Sequence, residues 1–251
     1  MTTTVDFPVE VSVITPAHNA AAVLARAAAS LQTQTKTGWE MVIVDDGSSD
    51  DTAKIADRLA AADPRLRVLG HPNKQGVAAA RNTALAKAQG RYIAFLDADD
   101  AWSPEKLELQ VTLMHARKAG LSYTGFNRVS EKGTRRIHVP SQITGAQLLL
   151  GNCVCCSSAM YDRAVLGSVP MPLLPLRQDY ALWLTMLERL PYAVGIDSPL
   201  VDLHTTRGSL SSNKWRATRA TWAMHRDHFK TGPAQTAYYV LSHSLRRLIR
   251  G

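Results

Sequence analysis

Cysteine is scarce in this chain of 251 residues: there are three, Cys153, Cys155 and Cys156, crowded into four positions. Their odd number and close spacing exclude a disulfide framework, and no second pair at zinc spacing exists, so they read as buried or half-buried free thiols. No uncharged apolar run approaches the roughly 18 residues that cross a bilayer, and the opening MTTTVDFPVEV lacks both the basic and the apolar region of a signal peptide. These absences predict a cytoplasmic location. Aromatic residues are only 6% of the chain and no internal repeat is visible, while 45% hydrophobic and 20% charged residues exclude disorder and fibrous coiled coil. What remains is a globular chain long enough for one large domain, or for a domain with an appendage.

Acid is what the last fifth lacks. Residues 1–202 hold 20 Lys plus Arg against 20 Asp plus Glu, whereas residues 203–251 hold nine basic residues and one acid, Asp227. A surplus confined to one segment points to an anionic partner or to a solvated helical face. Within it Trp215, Trp222 and Phe229 recur every seven residues among Lys214, Arg216, Arg219, Arg226 and Lys230. On a helix that is an aromatic stripe with cationic flanks, suited to an anionic membrane surface or to packing back on the core. No aromatic and basic recognition motif occurs elsewhere, so nucleic acid is not expected as a partner.

Two periodicities alternate through the first hundred residues. Val11, Val13 and Ile14 read as a strand stopped by Pro16, followed by a helix over 20–31; Met41–Val44 reads as a strand, followed by a turn and a helix carrying Ile55, Ala56, Leu59 and Ala60. Arg65–Leu69, the Ala-rich stretch Val77–Ala88 and Tyr92–Leu96 continue as strand, helix, strand. Uninterrupted apolar strands between helices predict an α/β fold with a mainly parallel sheet covered on both faces. Past residue 102 the alternation lapses. Helices are expected over 104–119, 145–150, 180–190, 214–229 and 234–249, a strand over 121–126, and a basic, turn-rich stretch over 133–140.

In such sheets ligands gather beyond the carboxyl ends of the strands, which selects residues 16–19, 45–49, 73–81 and 97–100. The strand at Tyr92–Leu96 empties into Asp97, Asp99 and Asp100. Grouped carboxylates repel one another unless a cation, basic side chains or backbone donors compensate them. Hard oxygen ligands favour Mg²⁺ or Mn²⁺, whose remaining positions phosphate oxygens and water would fill. The alternative is that these acids cap the helix beginning near Ser103 and Pro104. A second strand ends in Asp45 and Asp46, positioned to accept hydrogen bonds from a base or ribose, with Ser48, Ser49 and Asp50 expected as helix-capping residues.

Together VSVITPAHN, VIVDDGSSDDT, NKQGVAAARN and YIAFLDADDAW, with RQDYALWL at residues 177–184, resemble family 2 glycosyltransferases of the GT-A fold. The resemblance implies a Rossmann-like nucleotide-diphospho-sugar transferase sheet and transfer of a sugar, with inversion, from a UDP-sugar to a hydroxyl of a saccharide or lipid-linked acceptor in surface polysaccharide, lipopolysaccharide or glycolipid assembly. By position it implies that Pro16, Ala17, His18 and Asn19 flank the base, that Asp46 contacts it, that Gly76 and Arg81 line the nucleotide pocket, and that Asp97 and Asp99 hold Mn²⁺ or Mg²⁺. Asp179 is implied as the base that deprotonates the acceptor, and residues 152–158 as lying near it. The chain departs from the family pattern at His18, where Tyr is usual, at Gln178, where Glu is common, and at Thr206, where His is often found; His204 or Arg207 is the expected substitute. The expected division is a nucleotide-sugar half over 1–102, an acceptor half over 103–210 and a basic helical extension over 211–251. Two rivals are a sugar nucleotidyltransferase, disfavoured by the absence of a Gly-rich basic loop after the first strand, and a non-catalytic nucleotide-sugar-binding module.

Overall fold

Side-chain alternation along the apolar strands decides the layers. The computed structural model describes residues 7–204 and 214–250. Its first half runs β1 (Val9–Ala17), α1 (Leu24–Gln32), β2 (Trp39–Asp46), α2 (Thr52–Ala62), β3 (Leu66–His71), α3 (Val77–Lys87) and β4 (Gly90–Phe95). The second half runs β5 (Ala101–Trp102), α4 (Lys106–Arg117), β6 (Leu121–Ser130), β7 (Gly133–Ile137), β8 (Gln142–Ile143), α5 (Gly145–Leu149), β9 (Met160–Asp162), α6 (Arg163–Leu166), α7 (Gln178–Leu187), β10 (Ala193–His204), α8 (Lys214–Ala223) and α9 (Pro233–Arg250).

The described strands form one sheet of order β3-β2-β1-β4-β9-β6-β10-β5, with β7 on β6 and β8 on β10. All pairings among β1 to β4 are parallel. Three-residue β9 is antiparallel to both β4 and β6 and joins that parallel block to a mixed one, in which β6 and β10 are again parallel. Met41 and Ile43 of β2, with Tyr92 and Ala94 of β4, face one apolar layer built with Leu24, Ala27 and Leu31 of α1 and Leu107 and Met114 of α4. Their neighbours Val42, Val44, Ile93 and Phe95 face the other, with Ala80 and Ala84 of α3 and Tyr180, Trp183 and Met186 of α7. Both faces of a parallel block must be dry, which is why these strands read as continuous apolar runs.

Several expectations are corrected. Pro16 does not end its strand: β1 continues to Ala17, with Pro16 opposite Val44. Pairing of β1 with β4 stops at Ile14, whose carbonyl accepts from Leu96 N–H at 3.1 Å. Two residues on, Pro16 turns the same edge of its backbone to a place where the ladder is over, so its missing N–H costs no bond. Within the stretch over 133–140, Gly133–Ile137 forms β7, antiparallel to β6, rather than turn alone. The seven-residue aromatic stripe breaks at its third member. Residues Met224–His228 form a π-helical turn after α8, and the wider turn rotates the following residues, so Phe229 packs on the core while Trp215 and Trp222 are 83% and 41% exposed.

Candidate active site at the carboxyl ends of β1, β2 and β4

The residues after β1 are zipped to the turn after β2. His18 Nδ1 lies 3.0 Å from the Asp46 carbonyl, Asn19 N–H donates to Ser48 Oγ at 2.9 Å, and Ser49 N–H donates to Asn19 Oδ1 at 2.9 Å. Asn19 holds φ +50, a left-handed conformation that Asn adopts more readily than most residues. Gly47 is required where it stands: its φ is +65, and a Cβ there would meet the Asn73 and Lys74 backbone at 2.7 Å. Of the expected capping residues only Asp50 serves α2, accepting from Thr52 N–H at 3.0 Å; Ser48 bonds back to Asp45 and Ser49 to Asn19.

Asp46 is buried, and its carboxylate is nearly saturated from within. Oδ1 meets His71 Nδ1 and Gln75 N–H, each at 2.8 Å, and Oδ2 accepts from Gly76 N–H at 2.7 Å. Burial alone would raise this carboxyl, but the His71 bond and the two backbone donors outweigh it and hold it below the usual carboxylate range. Asp46 thereby pins the loop over 72–76 that leads into α3, with Gly76 at φ +98 as its N-cap. Each oxygen can accept about two hydrogen bonds, so Oδ2 retains room for one more donor.

The acids beyond β4 are placed differently. Asp97 Oδ1 accepts from the buried Arg81 guanidinium at 2.5 Å, and Asp97 N–H donates to Ser157 Oγ at 3.1 Å. The Asp99 carbonyl accepts from Arg26 Nη2 at 2.6 Å. Asp100 accepts from Ser157 Oγ at 2.5 Å and from His204 N–H at 3.2 Å. Burial and then the charge of Asp97 push Asp99 above the carboxylate range, and the same two causes in the same order take Asp100 to about 8. The capping alternative fails: Glu105 makes no side-chain cap at the start of α4, and the first-turn Leu107 N–H donates to Gln34 Oε1 at 3.0 Å, not to any of these acids. Among the described residues no three His, Cys, Asp or Glu side chains converge as a closed metal cage. A partly open pair of carboxylates is the donor set that suits a hard cation sharing its shell with phosphate and water, and a cation would relieve the repulsion among these acids.

Asp179 is the second residue of α7, and its charge acts on Arg81 and on Cys156. Just before that helix Arg177 takes φ +68, held by a 3.1 Å bond from its Nε to Thr221 Oγ1 of α8. Burial pushes the Cys155 and Cys156 thiols well up, which agrees with inert free cysteines. His204 stands at the end of β10 beside the acid cluster, its imidazolium disfavoured by burial and then by Arg26; Thr206 and Arg207 lie outside the described residues. The structure thus brings residues 16–19, Asp46, Gly76, Arg81, Asp97, Asp99 and Asp179 to one edge of the sheet. Sequence reasoning missed Arg26 and His71, and reached Ser157 only as one of residues 152–158 near the acceptor, not as a partner of the acids. Ser157 is the hinge of the acid cluster, since its carbonyl also accepts from Trp102 Nε1 at 2.8 Å, and nothing in the local sequence marks it.

Residues 12–168 match the sequence profile described as glycosyl transferase family 2. Over 220 residues the chain is 39% identical to a putative teichuronic acid biosynthesis glycosyltransferase, TuaG, of Bacillus subtilis (strain 168), covering 86% of this chain and 87% of that one. Over 236 residues it is 32% identical to the UDP-Glc:alpha-D-GlcNAc-diphosphoundecaprenol beta-1,3-glucosyltransferase WfgD of Escherichia coli, covering 93% and 91%. Among solved structures, S. aureus TarS 1-349 in complex with UDP-GlcNAc superposes with a TM-score of 0.72 at 18% identity, over 92% of this chain and 70% of that one. The mannosyltransferase PcManGT from Pyrobaculum calidifontis, in complex with GDP-Man and Mn²⁺, does so with a TM-score of 0.66 at 20% identity, over 93% and 68%. At those identities the two structures establish the fold, which is GT-A.

Proposed function

Because the chain belongs to glycosyl transferase family 2, we propose that its acid-lined edge carries an inverting transfer from a UDP-sugar to a hydroxyl of a lipid-linked saccharide in cell-surface polysaccharide assembly. The observation that carries this reading is the pair of strand ends just described: one acid turn closed by the protein's own donors, and beside it a second, underfilled one with Asp179 in electrostatic reach of its Arg81. Family membership leaves the nucleotidyltransferase alternative without support.

In this reading Pro16, Ala17, His18 and Asn19 form one wall for the base, and Asp46 contacts it or fixes that wall by holding the loop over 72–76. Gly76 and Arg81 line the diphosphate path, and Asp97 and Asp99 hold Mn²⁺ or Mg²⁺. Such an ion, when bound, offsets the negative charge that the departing nucleoside diphosphate gains, which favours the transition state over the ground state. Arg81, buried and fixed to Asp97, keeps that carboxylate oriented and presents its own positive charge to the phosphates. Asp179 takes the proton of the acceptor hydroxyl as the oxygen attacks the face of the sugar opposite the leaving group, giving inversion. Residues 1–102 then serve the nucleotide sugar, 103–210 the acceptor, and 211–251 a helical extension.

The extension has a role in this reading at the cytoplasmic face of the membrane. No described helix is long and apolar enough to cross a bilayer. Yet Trp215 and Trp222 of α8 and Tyr238, Leu241 and Leu245 of α9 are exposed, at spacings that put each set on one side of its helix, among Arg216, Arg219 and Lys230. An apolar and aromatic surface with basic flanks fits the interface of anionic lipids, where a lipid-linked acceptor resides. Sedimentation with anionic and neutral vesicles tests this, and equal partition into both, or into neither, removes it. The catalytic reading is tested by transfer assays on wild type and Asp179→Asn: the variant should keep UDP binding and lose transfer, and undiminished transfer would eliminate Asp179 as the base.

A further inference from the structure

Helix α8 has two faces. Trp215 and Trp222 are exposed on one, whereas Ala217, Thr221 and Met224, spaced four and three residues apart, are buried on the other. Met224 enters the apolar layer that holds Tyr180, Trp183 and Met186 of α7. The next residue, His225, is fully buried with its ring 6.1 Å from Tyr180 and 5.2 Å from Tyr239 of α9, and His243 of α9 lies 5.9 Å from Tyr180. The Tyr180 hydroxyl donates to the Leu148 carbonyl of α5 at 2.9 Å. Helices α8 and α9 are therefore built into the layer that carries α7, and they touch the residue that follows Asp179.

Thr221 adds a polar bond to that apolar contact. Its hydroxyl donates to the Ala217 carbonyl at 2.9 Å, so toward Arg177 Nε, 3.1 Å away, it can only accept. Arg177 stands just before α7 with φ +68 and ψ 15. A residue with a Cβ holds that left-handed conformation at a cost, which its surroundings must offset. The same residue opens the helix, because its carbonyl accepts from Ala181 N–H at 2.9 Å. It therefore sets the direction in which α7 leaves the preceding loop, and with it the direction of Asp179 two residues on. Asp179 acts electrostatically on the buried Arg81, so a turn at Arg177 moves the base against the diphosphate path.

We propose that α8 is a positioning element of the active site, in which Thr221 holds Arg177 and, through it, orients the Asp179 carboxylate. This rests on Asp179 as the base of the reading above. The kinetic test follows transfer from UDP-glucose to N-acetylglucosamine joined to a short prenyl chain through a diphosphate. The isosteric Thr221→Val should lower kcat about tenfold with the KM of UDP-glucose in place, because a misaimed base slows the chemical step and not donor binding. Thr221→Ser, which keeps the hydroxyl, should restore kcat. In an Arg177→Ala background Thr221→Val should cost nothing more, since both changes cut one link. An undiminished kcat in Thr221→Val, a loss that serine does not repair, or losses that multiply would overturn the positioning role. Undiminished transfer by Asp179→Asn instead removes the base, and the positioning role with it. Crystal structures of wild type and Thr221→Val decide the same point without substrate: Arg177 should leave the left-handed region in the variant, and an unchanged Arg177 and Asp179 would overturn the proposal.

Discussion

Two strands of the same sheet, β2 and β4 on either side of β1, end in acids, and the protein treats them in opposite ways. At the end of β2 Asp46 receives His71 and two backbone N–H groups and lies below the usual carboxylate range. At the end of β4 the half-buried Asp99 and the buried Asp100 stand beside Asp97 with too few donors to offset their desolvation, and both lie above it. A satisfied acid builds a wall; an acid left short of donors costs stability until something positive arrives. The same residue type, two strands over, thus sits in opposite electrostatic states according to how many donors the fold supplies.

Asp179→Asn should lower transfer by about 10²–10⁴-fold in steady-state assays while leaving UDP affinity unchanged, because only the proton acceptor is removed. Next, the two strand ends should separate by phenotype. In thermal unfolding Asp99→Asn should leave the metal-free protein at least as stable as wild type while losing the stabilisation that UDP with Mn²⁺ confers. Asp46→Asn should do the reverse, costing about 1–3 kcal/mol because backbone N–H groups of the 72–76 loop lose a charged partner. If both variants lost stability alike, the division between wall and binding group would be wrong.

Acid titration sharpens the contrast further. The Asp46 carboxyl is depressed in the folded state, so its contribution is complete above the ordinary value of 3.8 and is lost as pH falls through the lower folded value. His225 gives a second, milder acid limb. It is buried in the π-helical turn with neither ring nitrogen hydrogen-bonded, and burial lowers it from 6.5 to about 4. Its contribution is therefore full above 6.5 and declines as pH drops from there toward about 4. In unfolding midpoints measured from pH 7 to pH 2, the fall between pH 7 and pH 4 should be less steep in His225→Phe than in wild type, while Asp46→Asn should flatten only the limb below pH 4. Parallel curves for wild type and His225→Phe between pH 7 and pH 4 would show that His225 does not carry that milder limb.

What was legible in the sequence follows from the same physics. Strands β1, β2 and β4 are buried on both faces and helices α1 to α3 cover them, so their apolar runs announce them without tertiary knowledge. Strand β10 is interrupted by Pro199 and by register shifts on either side of it, so no period survives to be read, and β9 is too short to have one. Asp97, Asp99 and Asp46 were legible because they terminate readable strands. Ser157 and Arg26 were not, because 60 residues separate Ser157 from the Asp97 N–H that it accepts, and Arg26 reaches Asp99 across 73. The aromatic stripe misled at Phe229 because a seven-residue period assumes an unbroken α-helix, and the turn at Met224–His228 is wider.

Calorimetric titration of UDP into EDTA-stripped protein, with and without Mn²⁺, tests most directly whether the underfilled acids of β4 exist to hold a cation against a diphosphate. UDP should bind markedly more tightly with Mn²⁺ present, and Asp99→Asn should abolish that gain while Asp46→Asn retains it. Equal UDP affinity in Mn²⁺ and in EDTA would contradict the account.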